Sequence, residues 1–279
     1  MQVDCLIYSK DRPLQLDLLL RSIKTYFKNV GKVVILHKWS NKEFEKGYDK
    51  LFEKAIIHKK YGLKIHPIYE TDFKEDLKDI LTSIESSNFL GLCDDDVFIK
   101  DCDVSNMLYE LDFDDTNAIS LKSGLNITHH YPNIEVPQPQ NFHFTEPYLK
   151  WNWKTQPRPT DWGYPTCINS YIYNIKYYLS LVNRIEVNHP TVLEAQCNTI
   201  REFFRPIMVG VRETCLLNIP CNRLQTVNDT PYGTQYAFTT EELNEKWLKG
   251  YEIDTSNIYG LKVDRPNLDI DFKFKKESQ

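Results

Sequence analysis

Phe89-Leu90-Gly91-Leu92-Cys93-Asp94-Asp95-Asp96-Val97-Phe98-Ile99 is the stretch on which the reading of this chain turns. The run 89–93 is short and has no polar face, which suits a strand buried on both sides of a covered sheet. The three carboxylates that follow repel one another, a cost that a cation or a solvated loop offsets. In extended backbone Asp94 and Asp96 point one way and Asp95 the other. Two carboxylates converging at the mouth of a sheet make a hard-oxygen site of the kind that magnesium or manganese takes. The plainer reading is a turn and a helix cap. Apolar residues on both sides count against it, since an ordinary exposed turn need not sit between two strand segments.

Upstream, strand and helix patterns alternate. Residues 3–8, 32–37 and 64–69 read as strands, the last with Pro67 marking an edge or an end. Leu14, Leu18, Leu19, Ile23 and Phe27 recur at helical spacing, with Pro13 in the first turn and Asp11 or Arg12 near the cap. Phe44, Leu51, Phe52 and Ala55 mark a second helix capped by Ser40 or Asn41, and Phe73, Leu77, Ile80, Leu81 and Ile84 a third. Residues 117–121 read as a further strand. This alternation predicts a parallel α/β sheet, and ligands of such sheets lie outside the carboxyl ends of the strands. Residues 9–12 and 94–96 both fall at carboxyl ends, so the two clusters are expected to share one crevice.

Downstream the character changes. Residues 122–165 are rich in proline, aromatics and asparagine, and include His129-His130-Tyr131 and Trp151-Asn152-Trp153. A structureless loop of this length is unusual in a compact domain unless functional, so it reads as a lid, an acceptor platform, or a set of short strands. Asp161-Trp162-Gly163-Tyr164-Pro165 closes it. Residues 171–182 and 191–204 read as helices, the second begun by Pro190, with Glu194 and Asn198 one turn apart. Residues 214–220 read as a strand and 239–250 as a helix capped by Thr240 and ended by Gly250.

Composition narrows the function. The chain has 279 residues, 41% hydrophobic and 26% charged, with a net charge of −5, which argues against nucleic acid as the main partner. Aromatics reach 13% and offer flat faces for sugar stacking or for core packing. No stretch approaches the ~20 apolar residues of a membrane span, and the N-terminus reads as the first strand rather than a signal peptide. Seven cysteines without a CxxC read as reduced thiols of a cytoplasmic protein, not a zinc site. A cation held by Asp94 and Asp96 beside Lys10 and Arg12 suggests a bound diphosphate. No G-x-x-x-x-G-K-[ST] and no G-x-G-x-x-G after the first strand is present, which excludes a P-loop nucleotidase and argues against a dinucleotide redox enzyme.

The opening Leu6-Ile7-Tyr8-Ser9-Lys10-Asp11-Arg12-Pro13-Leu14-Gln15-Leu16, with Leu92-Cys93-Asp94-Asp95-Asp96-Val97-Phe98, resembles nucleotide-sugar glycosyltransferases of the GT-A fold, family 2-like and carrying a DxD motif. The likeness covers residues 1–122. Residues 161–165 and Asn218-Ile219-Pro220-Cys221-Asn222-Arg223 are similar to segments in the acceptor half of bacterial and viral members. The resemblance implies an α/β, Rossmann-like, mostly parallel sheet flanked by helices, one domain over 1–279, with 1–122 binding the nucleotide sugar and a loop-rich 123–279 binding the acceptor. It implies that Asp96 ligates Mn2+ or Mg2+, that Asp94 ligates it too or contacts the ribose, and that Asp95 faces the ribose or base. Ser9, Lys10, Asp11 and Arg12 should border the nucleotide. Many members add a C-terminal histidine ligand, for which His189 is the only histidine after residue 143; water or the Asn222 amide is the alternative.

Inverting members use a carboxylate to deprotonate the acceptor hydroxyl, and Asp161 and Glu194 are the candidates. Asp161 reads equally as a turn residue, and Glu194 as a carboxylate favoured early in a helix. Retaining chemistry needs no such base. The expectation is thus a metal-dependent transferase that moves a sugar from a nucleoside-diphosphate sugar, with uridine as the expected base, to a glycan or other hydroxyl acceptor. The alternatives are a nucleotidyltransferase on a related sheet, which should carry a glycine-rich first loop, and a non-catalytic glycan- or nucleotide-binding protein.

Overall fold

The computed structural model describes residues 2–130, 134–157, 160–222 and 238–277. The first part alternates as its periodicity predicts: β1 (Val3–Lys10), α1 (Pro13–Tyr26), β2 (Val30–Lys38), α2 (Lys42–Phe52), β3 (Lys64–Tyr69), α3 (Phe73–Ser83), β4 (Asn88–Cys93), a short β5 (Asp96–Phe98) and β6 (Thr116–Ser120). The second part adds β7 (His129–His130), β8 (Ile134–Glu135), β9 (His143–Thr145), β10 (Tyr148–Asn152), β11 (Tyr171–Asn174), α4 (Ile175–Val182), α5 (Pro190–Thr199), β12 (Ile207–Val211), β13 (Leu216–Asn218), α6 (Thr240–Leu248), β14 (Tyr251–Ile253) and β15 (Phe274–Lys276).

One nine-stranded sheet organises the fold, in the order β3-β2-β1-β4-β11-β6-β12-β10-β9. All its strands run the same way except β10 and β11. The period-two alternation of a strand sorts side chains between the two faces. Cys5, Ile7, Val33, Ile35, Leu90 and Leu92 pack on one side with Leu18 and Leu19 of α1, Leu51 of α2 and Trp247 of α6. Leu6, Tyr8, Val34, Leu36 and Phe89 pack on the other with Leu77 and Leu81 of α3 and Tyr178 and Leu181 of α4. The result is a helix-sheet-helix sandwich with both faces of the sheet covered, as continuous apolar strands require.

Local chemistry starts the helices where expected. Pro13 occupies the first turn of α1, and Asn41 caps α2 by accepting from the backbone N–H groups of Glu43 and Phe44 at 2.9 and 3.2 Å. Pro67 lies on β3, an edge strand of the sheet. The cap of α6 is Thr239 rather than Thr240: its hydroxyl accepts from Glu242 N–H at 3.1 Å while the Glu242 carboxylate accepts from Thr239 N–H at 2.9 Å. That reciprocal pair satisfies two otherwise orphaned donors.

Two readings change, and a third is narrowed to one of its alternatives. Residues 171–174 are the strand β11, not the first turn of a helix; Tyr-Ile-Tyr fits a pleated, buried surface, and Asn174 then caps α4 by accepting from Tyr177 N–H at 3.1 Å. The helix expected over 191–204 ends at Thr199 and gives way to a 3₁₀ turn, Arg201–Phe203. The irregular span 122–165 holds the short strands β7 to β10, and β12 supplies a sheet strand that the pattern did not announce.

Gly91 in the middle of β4 links this fold to what lies at its edge. A Cβ there would come within 2.4 Å of the Ile168 carbonyl, and Ser170 N–H donates to the Gly91 carbonyl at 2.8 Å. Only glycine admits so close an approach of residues 168–170 to the strand. Gly91→Ala should therefore destabilise the protein by about 1–3 kcal/mol through forced backbone displacement, read as a lower urea midpoint with an unchanged slope. An unchanged midpoint would show that the 168–170 segment is not held by this contact.

Candidate functional site

β1 and β4 are adjacent and parallel, with Tyr8 opposite Cys93, so the segments that leave their carboxyl ends emerge side by side. Asp94 accepts from the Ser9 hydroxyl at 2.9 Å, the Lys10 N–H at 3.1 Å and Arg12 Nη1 at 3.1 Å. The same Nη1 donates to Asp95 at 2.9 Å. The far edge of the guanidinium is taken by Asn222: Nε donates to its side-chain oxygen at 2.8 Å and Nη2 to its carbonyl. Asp96 is fully buried and accepts from Cys93 N–H at 2.8 Å, Asn169 Nδ2 at 2.8 Å and Asn218 Nδ2 at 3.0 Å. Asn218 also donates to Asp95 at 2.8 Å. It arrives through β13, which pairs antiparallel with β5 so that Asn218 faces Asp96.

The triplet is therefore not the alternating arrangement that extended backbone predicts. Residues 94 and 95 form a turn between β4 and β5. The turn brings Asp94 and Asp95 together on Arg12, while Asp96 faces the two asparagines. Burial pushes the carboxyls of both Asp94 and Asp96 above the ordinary range; Arg12 works against this at Asp94, and the Asp95 charge adds to it at both.

A cleft of about 350 Å³ opens beside these groups. Ser9, Lys10, Arg12, Asp94, Asp95 and His189 line it, and Lys38 and Glu70, paired at 3.0 Å, form another wall. Asp11 does not line it. It sits at φ 56 with its carboxylate accepting from Ser40 N–H at 2.8 Å, so it fixes the loop after β2 instead; aspartate tolerates this left-handed backbone better than most residues. His189 reaches the cleft as the N-cap of α5, its Nδ1 accepting from Thr191 N–H at 3.1 Å. Burial pushes its imidazole below the ordinary value, so the neutral ring carries its hydrogen on Nε2. A larger cleft, about 630 Å³, lies at the opposite, amino edge around Asp4, Lys32 and Asn88. There Asp4 already accepts from Lys32 N–H at 2.6 Å, and the amino edge is not where such sheets bind ligands.

A second polar group adjoins the first. Lys122, just past β6, is buried and donates from Nζ to Cys167 Sγ at 3.0 Å. The Cys167 thiol donates to the Asn169 side-chain oxygen at 2.8 Å, and Asn169 donates to Asp96. Asp161 and Glu194 both lie near Lys122. Burial would raise the Asp161 carboxyl, but His130 at 3.2 Å and the Lys122 charge outweigh it and hold Asp161 below the usual range. Burial pushes Glu194 above the usual range; it bonds the Tyr164 hydroxyl and faces Ile168 N–H at 3.5 Å. Ile168 lines the cleft, so Glu194 stands at its border, whereas Asp161 is held under His130.

Sequence reasoning missed Lys122, Cys167, Asn169 and the role of Asn218, because singly they are ordinary polar residues with no motif. Trp151, Trp153 and Trp162 do not face a ligand: they are 1%, 3% and 1% exposed and belong to the core. Tyr8 is an aromatic residue that does line the cleft, while His37, Trp39 and Tyr69, at the carboxyl ends of β2 and β3, pack on one another, with the Trp39 and Tyr69 rings 4.3 Å apart. Burial pushes the His37 imidazole down to about 4, so this ring is neutral. His129 faces Asp264 and His130 faces Asp161, so neither reaches the triplet. Arg223 lies outside the described residues.

An open, mostly parallel α/β sheet with a polar cleft outside the carboxyl ends of its strands is the ligand-binding architecture of nucleotide-handling enzymes. The chain is 25% identical over 262 residues to the bifunctional glycosyltransferase pgtA of Dictyostelium discoideum, an alignment that covers 82% of this chain and 33% of that protein. It thus spans about a third of the length of this curated relative, which bears out the glycosyltransferase resemblance carried by the opening strand and the triplet. Among solved structures it is similar to S. aureus TarS, with 14% identity and a TM-score of 0.48 over 77% of this chain and 36% of that one. TarS 1–349 in complex with UDP-GlcNAc matches at 12% identity and TM-score 0.47, over 77% of this chain and 57% of that chain. GalNAc-T7 with UDP, GalNAc and Mn2+ matches at 12% identity and TM-score 0.47, over 89% and 48%. The curated relative is a glycosyltransferase. No family model matches the chain.

Asn218 is the side chain that ties Asp95 to Asp96. Asn218→Ala should cost about 1–3 kcal/mol, the penalty of leaving buried acceptors short of a donor, and should appear as a lower melting temperature. A melting temperature equal to that of the wild type would mean that solvent already satisfies both carboxylates.

Proposed function

We propose that the protein transfers a sugar from a nucleoside-diphosphate sugar, with uridine as the base the resemblance implies, to a hydroxyl of a glycan or other acceptor. The observation that carries this reading is the shared cleft at the carboxyl ends of β1 and β4, where the basic first loop and the acidic triplet meet. The diphosphate binds at Lys10 and Arg12, and His189 donates to it from Nε2. These donors stabilise the charge that develops on the leaving diphosphate. Glu194 is the base. It takes the proton of the acceptor hydroxyl as that oxygen bonds to the anomeric carbon and the bond to the diphosphate breaks, a single displacement that inverts the centre. Asp161, kept ionised beside Lys122, serves as counter-ion to that lysine. Its low carboxyl makes it the weaker base of the two.

Mn2+ or Mg2+ held by Asp94, Asp96 and His189 fits the side chains poorly as they stand. Each carboxylate oxygen of the triplet accepts a protein hydrogen bond, the hydrogen of His189 is on the nitrogen left free, and among the described residues no group of three or more His, Cys, Asp or Glu side chains converges as a metal shell. No step of the mechanism is routed through a cation. The proposed division at residue 122 is a loose one, since Asn169, His189, Asn218 and Asn222 reach the donor side from the second half. Among the described residues no helix is long and apolar enough to cross a membrane. Seven cysteines without a CxxC favour a reducing, cytoplasmic setting.

Incubation with UDP- and GDP-sugars and a panel of hydroxyl acceptors, read by mass spectrometry, should yield a glycosylated product with one donor. Glu194→Gln should lower kcat by about 10²–10⁴-fold with little change in donor KM. Because the Glu194 carboxyl is raised, kcat should fall on the acid side at a pH above the ordinary glutamate range near ~4.3, as the base becomes protonated. A variant with wild-type kcat would remove Glu194 from the chemistry. No product and no nucleotide binding from any donor would sink the transferase reading.

A further inference from the structure

We propose that Arg12 is the resident counter-cation of the acidic triplet, and that a divalent cation has to compete with it for Asp94 and Asp95. The proposal rests on the function given above only for the identity of the anion that enters the cleft.

Arg12 is 8% exposed, and its guanidinium is held on both edges. One edge spans Asp94 and Asp95 through Nη1, and the other is gripped by the side chain and carbonyl of Asn222. Asn222 is itself anchored, donating from Nδ2 to the Phe238 carbonyl at 3.2 Å. The Arg12 backbone is fixed as well: its N–H donates to the Tyr48 hydroxyl at 3.3 Å, and its carbonyl accepts from Leu16 N–H at 3.0 Å in the first turn of α1. A planar fork with donors along both edges matches this double grip, which an ammonium could not make. Guanidinium does not deprotonate in proteins, so it cannot yield the position by losing its charge. A second cation at the same carboxylates would meet that charge in a buried, weakly screened setting, where like-charge repulsion is strong.

The remaining members of the triplet offer little in exchange. Asp96 is fully buried, with two amide donors on one oxygen and a backbone N–H on the other. The second oxygen of Asp94 is shared by the Ser9 hydroxyl and the Lys10 N–H. The free protein therefore has its cation already in place. An incoming diphosphate meets Arg12 and Lys10 without waiting for a metal.

Binding of Mn2+ alone, followed by the loss of its free-ion EPR signal, tests this directly on the full chain. The wild type should bind Mn2+ no tighter than millimolar in the absence of nucleotide. Arg12→Met should tighten Mn2+ binding at least tenfold, and Arg12→Lys, which keeps the charge, should not. Calorimetry of UDP in the presence of chelator should show binding to the wild type that weakens at least tenfold in Arg12→Met. Micromolar Mn2+ binding by the wild type, or equal Mn2+ affinity in the wild type and a folded Arg12→Met, would overturn the proposal. The wild-type EPR measurement and Arg12→Lys keep it testable if Arg12→Met does not fold. If product forms from a donor yet Mn2+ binds the wild type tightly, the inference fails and the transferase reading stands. If no nucleoside diphosphate binds while the Mn2+ results hold, the transferase reading fails and the counter-ion role stands.

Discussion

Three carboxylates at the end of a strand buried on both faces have to be given partners, and much of the molecule is arranged to supply them. Placing even one ionised carboxylate out of water is costly unless hydrogen bonds or opposite charge compensate it. Here the partners come from three separated stretches: Ser9, Lys10 and Arg12 at and just past the end of β1, Asn169 before β11, and residues 218–222, with Asn218 on β13 and Asn222 behind Arg12. Their meeting depends on two pairings. The parallel register of β1 with β4 brings the first loop to Asp94, and the antiparallel register of β13 with β5 brings Asn218 to Asp96.

The same constraint explains why the second half of the chain returns to the sheet instead of forming a separate layer. β11 runs antiparallel between β4 and β6, and the segment before it crosses Gly91 closely enough to set Asn169 on Asp96. From Asn169 the hydrogen bonds continue through Cys167 to Lys122, beside Asp161 and Glu194. The hydrogen-bonded chain from Asp96 thus ends at Lys122, whose charge acts on both Asp161 and Glu194, although these residues are far apart in sequence. Burial opposes every charge in this chain, and the two candidate bases separate because only Asp161 has a neighbour, His130, that outweighs it together with Lys122.

Local signals made the first half legible. The 3.6-residue spacing in α1, α2 and α3, the cap at Asn41, and Pro67 on an edge strand are properties of neighbouring residues, and tertiary packing did not override them. The stretch Tyr171-Ile172-Tyr173-Asn174 was ambiguous, because a short apolar run fits a strand or a helix until its neighbours are known. Asp11 was placed in the right loop, yet its backbone turns the carboxylate toward Ser40, a direction that residue type alone does not encode. Lys122, Cys167 and Asn169 had no pattern to find, since a buried lysine looks like any other lysine before its neighbours are known.

The amino-acid sequence by itself determined the alternating α/β order, the carboxyl-edge crevice and the meeting of the first loop with the aspartates, because each follows from short-range periodicity and from the direction of parallel strands. Tertiary structure alone decided which partner each aspartate takes. A turn at Asp94 and Asp95 replaced the alternation of extended backbone and set both on Arg12, while Asp96 went to asparagines from the far half of the chain. The physical reason is that satisfying a buried charge is a long-range requirement: its donors come from whichever segments the sheet brings near, and their position in sequence does not announce them.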